Sequence, residues 1–414
     1  MKSNFIKSVN DCFLVAVLLY LYIPFCNAQS NKVEDSKGKI IIDLDKININ
    51  PDVEFLTSMV FKRIKIIPLE TNESCLIGGI HKIQVFDQYI LVADFTINSL
   101  FVFNKEGRFI RRIGGIGQGP GEFVSINDFT IDRINKTVYI SDGRLSRINK
   151  YDLETGKFIQ SFRNAGSGRS NRFESIWGKL YSDAFFAEHS ANNYLLYIID
   201  ESTGKEKSNF LNVMEYNKGV SNTLGANHFP PFYLRDNGDG IFVQPFMNHI
   251  IEITKEGVFS FIELKGKNLL TPEEAKRAKE LLIFKIPPKM LDILKIDKYL
   301  RIITFIEKGD WIIFDMTKGL RVHRFLINKK TKEVSIFEKA HDDLLFANKR
   351  GEMPAFGCYD ANGVYFHTDS PESTSKFQAQ LKAGTISSDI SGLEFLKNLK
   401  KDDNPILFYY EFKE

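Results

Sequence analysis

The chain has 414 residues, with 55 Lys and Arg against 52 Asp and Glu, a formal net charge of +3 and 43% apolar residues. That apolar fraction, with 36 Phe and 15 Tyr, fills a sizeable core and excludes global disorder. Near-neutral charge removes the electrostatic basis for nucleic-acid binding, and 4 Cys are too few for a disulfide scaffold or a multi-cysteine metal fold.

Lys2 and Lys7 precede an unbroken apolar run from Cys12 to Ile23, followed by Pro24 and the small-residue segment Cys26-Asn-Ala28. This order predicts a signal peptide over 1–28, removed after Ala28. An apolar run of that length rises only about 18 Å as a helix, against a bilayer core of roughly 30 Å, so no transmembrane span is expected. Lipidation at Cys26 is the alternative, although a lipoprotein signal resembles a small residue directly before the cysteine and Phe25 stands there. The mature chain is expected to start at Gln29, to work in the periplasm or as a secreted protein, and to open with an arm over 29–59. It keeps Cys75 and Cys358. The compartment permits a disulfide if their Cα atoms lie within about 7 Å; two unpaired thiols are the simpler expectation.

From residue 60 onward the chain is strand-like. Runs such as Tyr89-Ile-Leu-Val-Ala93, Leu100-Phe-Val-Phe103, Val138-Tyr-Ile140, Ile241-Phe-Val243 and Trp311-Ile-Ile-Phe314 are short, β-branched and aromatic, and turn-forming residues bound them. A hairpin turn recurs between them. Asn104-Lys-Glu-Gly-Arg-Phe109 returns as Asp152-Leu-Glu-Thr-Gly-Lys-Phe158 and Asp200-Glu-Ser-Thr-Gly-Lys205, with weaker copies opening at Thr254 and Asn328. The leading positions 104, 152, 200, 254 and 328 are 48, 48, 54 and 74 residues apart. A period near 48 with several strands per unit predicts a β-propeller, whose blades each take about 40 to 50 residues. The wide gap has a local cause: Thr271-Pro-Glu-Glu274 is a cap, a helix-opening proline and a capping-box glutamate. A helical insertion over about 271–300, between blades 4 and 5, is therefore expected, with an apolar stripe against the ring.

Five turns are visible, and the sixth blade must come from both ends. Phe61-Lys-Arg-Ile-Lys-Ile-Ile67 and Ile406-Leu-Phe-Tyr-Tyr410 are strands without local partners. Pairing them closes the ring. The expected fold is all-β: a six-bladed propeller of four-stranded antiparallel blades over 60–414, closed by its N- and C-terminal strands.

The segment Gly114-Gly-Ile-Gly-Gln-Gly-Pro-Gly-Glu-Phe123, then Asp128-Phe-Thr-Ile-Asp132, Val138-Tyr-Ile-Ser-Asp142 and Tyr151-Asp152, resembles an NHL-type repeat. With Ile67-Pro-Leu-Glu-Thr71, it makes the chain similar to the six-bladed propeller proteins secreted by Bacteroides-like gut bacteria. The resemblance is sharp over roughly 61 to 162 and thins after 200. It implies a fold and a compartment; that family shares no established chemistry.

The residues nominate sites only loosely. The glycines at 114–121 run into Pro120-Gly121 and a β-type segment, so no helix follows to make a phosphate loop. Asp94 and Asp142 lie 48 residues apart, each just after a strand; they either face the central channel and bind a cation or hydroxyl-rich ligand, or cap their own turns. Arg144, Arg147 and Arg172 stand in loops suited to carboxylate or sulfate recognition, or are solvated surface arginines. Gln244, Phe246 and His249 form a loop with an aromatic ring and an amide that suit a sugar.

The seven His form no metal-ligand spacing, no nucleophile elbow is present, and no acid pair stands out among the carboxylates. No catalytic residue, metal or cofactor is assigned. The function read from this pattern is non-catalytic binding of a glycan, peptide or partner protein through one face of the ring. The alternative, implied by the NHL and lactonase-like propellers, is a metal-dependent lyase or lactone hydrolase at the central channel. A third is an interaction platform docking a neighbour through its inserted helix.

Overall fold

The computed structural model describes residues 29–31, 33–164, 172–184, 193–219, 230–283, 296–347, 355–368, 370–400 and 402–413. The expected signal peptide, Cys26, His189, His228 and the stretch 284–295 lie outside them.

Six antiparallel sheets form the ring. Blade 1 comprises Lys82–Phe86, Tyr89–Asp94, Ser99–Asn104 and Phe109–Ile113. Blade 2 comprises Asp128–Asp132, Thr137–Asp142, Arg147–Asp152 and Phe158–Arg163. Blade 3 comprises Phe173–Ile176, Lys179–Asp183, Tyr194–Ile199 and Glu206–Asn212. Blade 4 comprises Phe232–Leu234, Gly240–Phe242, His249–Ile253 and Val258–Lys265. Blade 5 comprises Tyr299–Lys308, Trp311–Lys318, Arg321–Asn328 and Val334–Phe337. Blade 6 takes Ala355–Tyr359, Gly363–His367 and Ile406–Phe412 from the end of the chain, and Phe61–Pro68 as its outermost strand. The ring closes through its own termini, as the sequence predicts.

The inner strands are buried on both sheet faces because blades stack on each other. All six residues of Tyr89–Asp94 and of Thr137–Asp142 are buried, whereas the outer Phe158–Arg163 has none. The hydrophobic clusters lie between neighbouring blades: one joins blades 1 and 2, another 4 and 5, another 6 and 1. Each blade supplies half of two interfaces, so none is stable alone.

The recurring turns do the work their composition predicts. Asn104 Oδ1 accepts from the Glu106 and Arg108 amides at 3.1 and 2.8 Å, and Asn328 Oδ1 from Lys330 and Thr331 at 2.9 and 3.1 Å. Gly107 (φ +82°) and Gly204 (φ +67°) also allow close approach to the preceding blade. An added Cβ there would meet the Pro68 carbonyl oxygen at 2.0 Å and the Arg163 carbonyl oxygen at 1.6 Å.

Two features extend the expected architecture. The arm over 29–59 runs around the outside of the ring. Gln29–Ser30 pairs parallel to the outer strand of blade 3, and Glu34–Asp43 to that of blade 4, so two blades carry a fifth strand. Ile40, Ile42 and Leu44 of the arm join the core between blades 4 and 5, and covering these strands removes exposed edges. Blade 6 holds a second helical insertion, Pro371–Lys382 and Leu393–Asn398, between its second and third strands.

The first insertion begins as predicted. Thr271 Oγ1 accepts from the Glu274 amide at 3.2 Å, and Glu274 Oε2 from the Thr271 amide at 2.9 Å, opening the Pro272–Ile283 helix. Tyr299 and Leu300, read from sequence as the end of that insertion, instead open the first strand of blade 5. Cys75 and Cys358 are both free thiols.

Candidate functional site

Successive strands of a blade run in opposite directions, which sorts the connections onto two rims. The turns from first to second and from third to fourth strands share one rim, and all are short. The turns from second to third strands and the links between blades share the other, and every α-helix among the described residues lies there. All eight residues nominated from the sequence fall on this long-loop rim or at its strand ends.

The first strands of blades 6, 1, 2, 3 and 4 touch in turn around the axis and enclose a cavity of about 490 Å³. Its walls come from blades 1, 2, 3, 4 and 6. The volume lies in the range of small-molecule sites. His81, Phe95, Asn127, Arg172 and His367 line the end toward the long-loop rim; Arg133, Leu234 and Tyr359 line the opposite end. The arc from blades 1 to 3 is polar, and Pro231, Phe232, Leu234 and Phe356 make the opposite arc apolar.

The polar arc is a hydrogen-bonded cluster that ties three blades together. Lys82 Nζ donates to Asp128 Oδ1 and to the Phe129 carbonyl, each at 2.8 Å, and lies 3.5 Å from Glu174 Oε2. Gln84 Nε2 donates to both Glu174 oxygens at 2.8 and 2.9 Å, and Thr130 Oγ1 donates to Oε1. Asp128 Oδ2 accepts from the Phe173 amide at 3.0 Å. Burial by itself would lower the Lys82 pKa, but the Asp128 and Glu174 carboxylates reverse this and hold it above the ordinary lysine value. Burial raises Glu174, with Lys82 opposing the shift.

The structure places the nominated residues as follows. Asp94 is fully buried and accepts from the Gly78, Gly79, Thr96 and Ile97 amides at 2.7 to 3.3 Å. Asp142 is its counterpart, accepting from Val124, Arg144 and Leu145 at 2.8 to 3.1 Å. Both carboxylates stitch a blade's turn to the incoming link, and neither lines the cavity. Replacing Asp142 with Ala should leave these amides unpaired and lower stability by about 1–3 kcal/mol. A denaturant midpoint equal to wild type would refute that role.

Blade 3 has an equivalent that the sequence analysis does not name: Asp183 ends its second strand in the corresponding place. It lies 41 residues after Asp142 instead of 48, which hid it from a 48-residue period. Burial pushes the Asp183 carboxyl from its ordinary 3.8 up to about 7; Arg172 opposes the shift and Asp128 adds to it. A carboxyl whose folded pKa is raised binds protons more tightly in the native state, so stability falls as pH rises from about 4 to about 7. Asp183→Asn should flatten that window, measured as melting temperature between pH 4 and 8. An unchanged pH slope would show that another group sets it.

Arg147 donates to the carbonyls of Gln118 and Gly119 at 3.4 and 3.2 Å and so braces the glycine-rich link, while Arg144 is exposed. Arg172 lines the cavity. The Gln244–His249 loop is mostly interior. Phe246 is 2% exposed and packs on Leu270, Ala275 and Leu300 beneath the inserted helix, which withdraws its ring from sugar stacking. Gln244 is 3% exposed. His249 Nδ1 lies 3.0 Å from Ser260 Oγ, and burial lowers its pKa. Of the eight, Arg172 alone reaches the cavity.

The sequence reading missed Lys82, Gln84, Asp128 and Glu174. A signal existed: Lys82, Asp128 and Glu174 recur at 46-residue intervals, close to the turn period, as charged residues in the first strand of each blade. Among the described residues no three His, Cys, Asp or Glu side chains come together as metal ligands. No helix among them is long and apolar enough to cross a membrane.

Fold and site define the class: a six-bladed β-propeller with an axial cavity lined from five of its blades. More particularly, the chain belongs to the family described as Domain of unknown function (DUF4934), whose profile matches residues 39–411. No curated protein matches it. A Bacteroides fragilis protein described as exported is 17% identical and superposes with a TM-score of 0.69, over 91% of this chain and 99% of its own. A duf4221-family protein of Bacteroides vulgatus is 9% identical, with a TM-score of 0.47 over 86% and 97% of the two chains. The virginiamycin B lyase of Staphylococcus aureus is 12% identical, with a TM-score of 0.39 over 84% and 99%. At such identities the likeness shows the fold alone, and the last two are too weak to carry an argument.

Proposed function

We propose that the chain is an extracytoplasmic binding protein that takes up a glycan, a peptide or part of a partner protein through the long-loop rim, with the axial cavity as its anchor point. The cavity of about 490 Å³, polar on one arc and apolar on the other, is the observation that carries this reading. It accommodates one or two sugar units or one peptide side chain rather than a whole macromolecule, so a larger partner inserts a terminal group and rests on the surrounding loops. The compartment follows from the leader-like first 28 residues.

Hydrogen exchange with and without ligands from a glycan and peptide panel tests this. Protection is expected over 81–85, 126–130 and 230–234 and absent from the opposite turns at 104–108, 152–157 and 200–205. Protection confined to those turns or to the outer strands would overturn it.

A further inference from the structure

We infer that the group entering the axial cavity is a small organic anion, a carboxylate carried on an apolar or aromatic body. This rests on the cavity being the binding site, and it goes further by naming the chemistry of the ligand.

The argument is a balance of donors and acceptors. Lys82, Arg133 and Arg172 line the cavity with Asp128 and Glu174, three formal positive charges against two negative. Both carboxylates are already engaged. Each oxygen of Asp128 and of Glu174 accepts from a protein donor. A cationic ligand would therefore compete with Lys82 and these donors for carboxylates that are already engaged.

Donors remain in excess. Arg133 gives Nη1 to the Arg235 carbonyl at 3.3 Å, and its buried Nε has no acceptor among the described residues. That contact brings the guanidinium to the end of the strand holding Tyr233. Tyr233 is 3% exposed, lines the cavity, and its hydroxyl also has no partner among the described residues. Buried donors without acceptors cost free energy unless a ligand or water supplies the acceptor. A carboxylate supplies two oxygens, and a guanidinium binds it with a charge-assisted hydrogen bond. Phe232, Leu234, Pro231 and Phe356 then face the rest of the ligand, which selects an apolar body over a fully hydroxylated one. Asp236 is an electrostatic neighbour of Arg133 and opposes an anion there.

The test is calorimetric titration of the mature chain with 4-phenylbutyrate, its primary amide and the corresponding amine. The carboxylate should bind at least about tenfold more tightly than the amide, and the amine more weakly still. Tyr233→Phe and Arg133→Gln should each weaken the carboxylate about tenfold without lowering the melting temperature by more than a few degrees. Asp236→Asn should tighten it a few-fold. An amine that binds as tightly as the carboxylate, or a carboxylate indifferent to both variants, would overturn the inference. If neutral sugars or amines protect the cavity strands in hydrogen exchange, the binding site stands and only the anion assignment fails. If every ligand protects the opposite rim, both fail.

Discussion

A chain ending at residue 405 is expected to aggregate instead of folding. The truncation removes the third strand of blade 6, and with it Ile406, Leu407, Phe408, Tyr410 and Phe412, each no more than 4% exposed. At about 1.5–3 kcal/mol for each buried side chain, the loss is roughly 7–15 kcal/mol, as large as the whole stability of a typical domain. The damage also spreads. Phe61–Pro68 loses the strand it pairs with along its whole length, Ile406–Phe412, and keeps only the isolated bridge from Lys65 to Ser391 as backbone pairing among the described residues. Tyr410 Oη also donates to Asp342 Oδ2, so the truncation takes one donor from the buried carboxylate whose other oxygen accepts from Thr57 Oγ1 of the arm at 2.9 Å. Soluble yield and a thermal melt decide the matter. A truncated chain that melts cooperatively within a few degrees of wild type would show that the ring does not depend on closure.

Lys82→Met is the second large effect, and it separates the axial cluster from mere packing. Methionine keeps the length of the side chain but leaves Asp128 and Glu174 facing the axis without their cation. Removing one partner of a buried ion pair costs about 3–5 kcal/mol. The sign of the pH dependence is set by the shifts. Lys82 is held above its ordinary 10.5, so its contribution is complete at neutral pH and is lost only at strongly alkaline pH. Glu174 is raised above its ordinary 4.5 even with Lys82 present, so the folded state prefers it protonated. Without Lys82 that preference strengthens, and acidification should restore stability. The melting-temperature gap between wild type and variant is therefore expected to narrow from pH 8 to pH 5. A constant gap would mean that the lysine contributes packing, not charge. Gln84→Leu probes the same cluster from its neutral side, since Gln84 also accepts from the Ile131 amide at 2.8 Å.

The architecture was legible because its causes are local. Short β-branched runs make strands, and an Asn or Asp followed by a glycine makes the hairpin that repeats at 48 residues. Thr271-Pro-Glu-Glu274 opens a helix by satisfying its own first amides. The same logic marks Ser370-Pro-Glu372, where Ser370 Oγ accepts from the Ser373 amide at 3.3 Å, so the blade 6 insertion was readable and went unread. Closure followed from two strands that lacked local partners.

What the ring does with those parts was decided by packing across blades. Gln84 and Glu174 are 90 residues apart and meet only because the first strands converge on the axis. The parallel pairing of Glu34–Asp43 with blade 4 uses no turn, and so leaves no local trace in the chain. Asp94 and Asp142 were recognisable as equivalent, but whether such a carboxylate faces a channel or binds amides depends on which backbone the next link brings beside it. Local sequence determined the blades and their number, since turn chemistry and strand pattern act within a few residues. Only the tertiary structure determined the cavity, because its walls are single strands from five blades that no short-range force brings together.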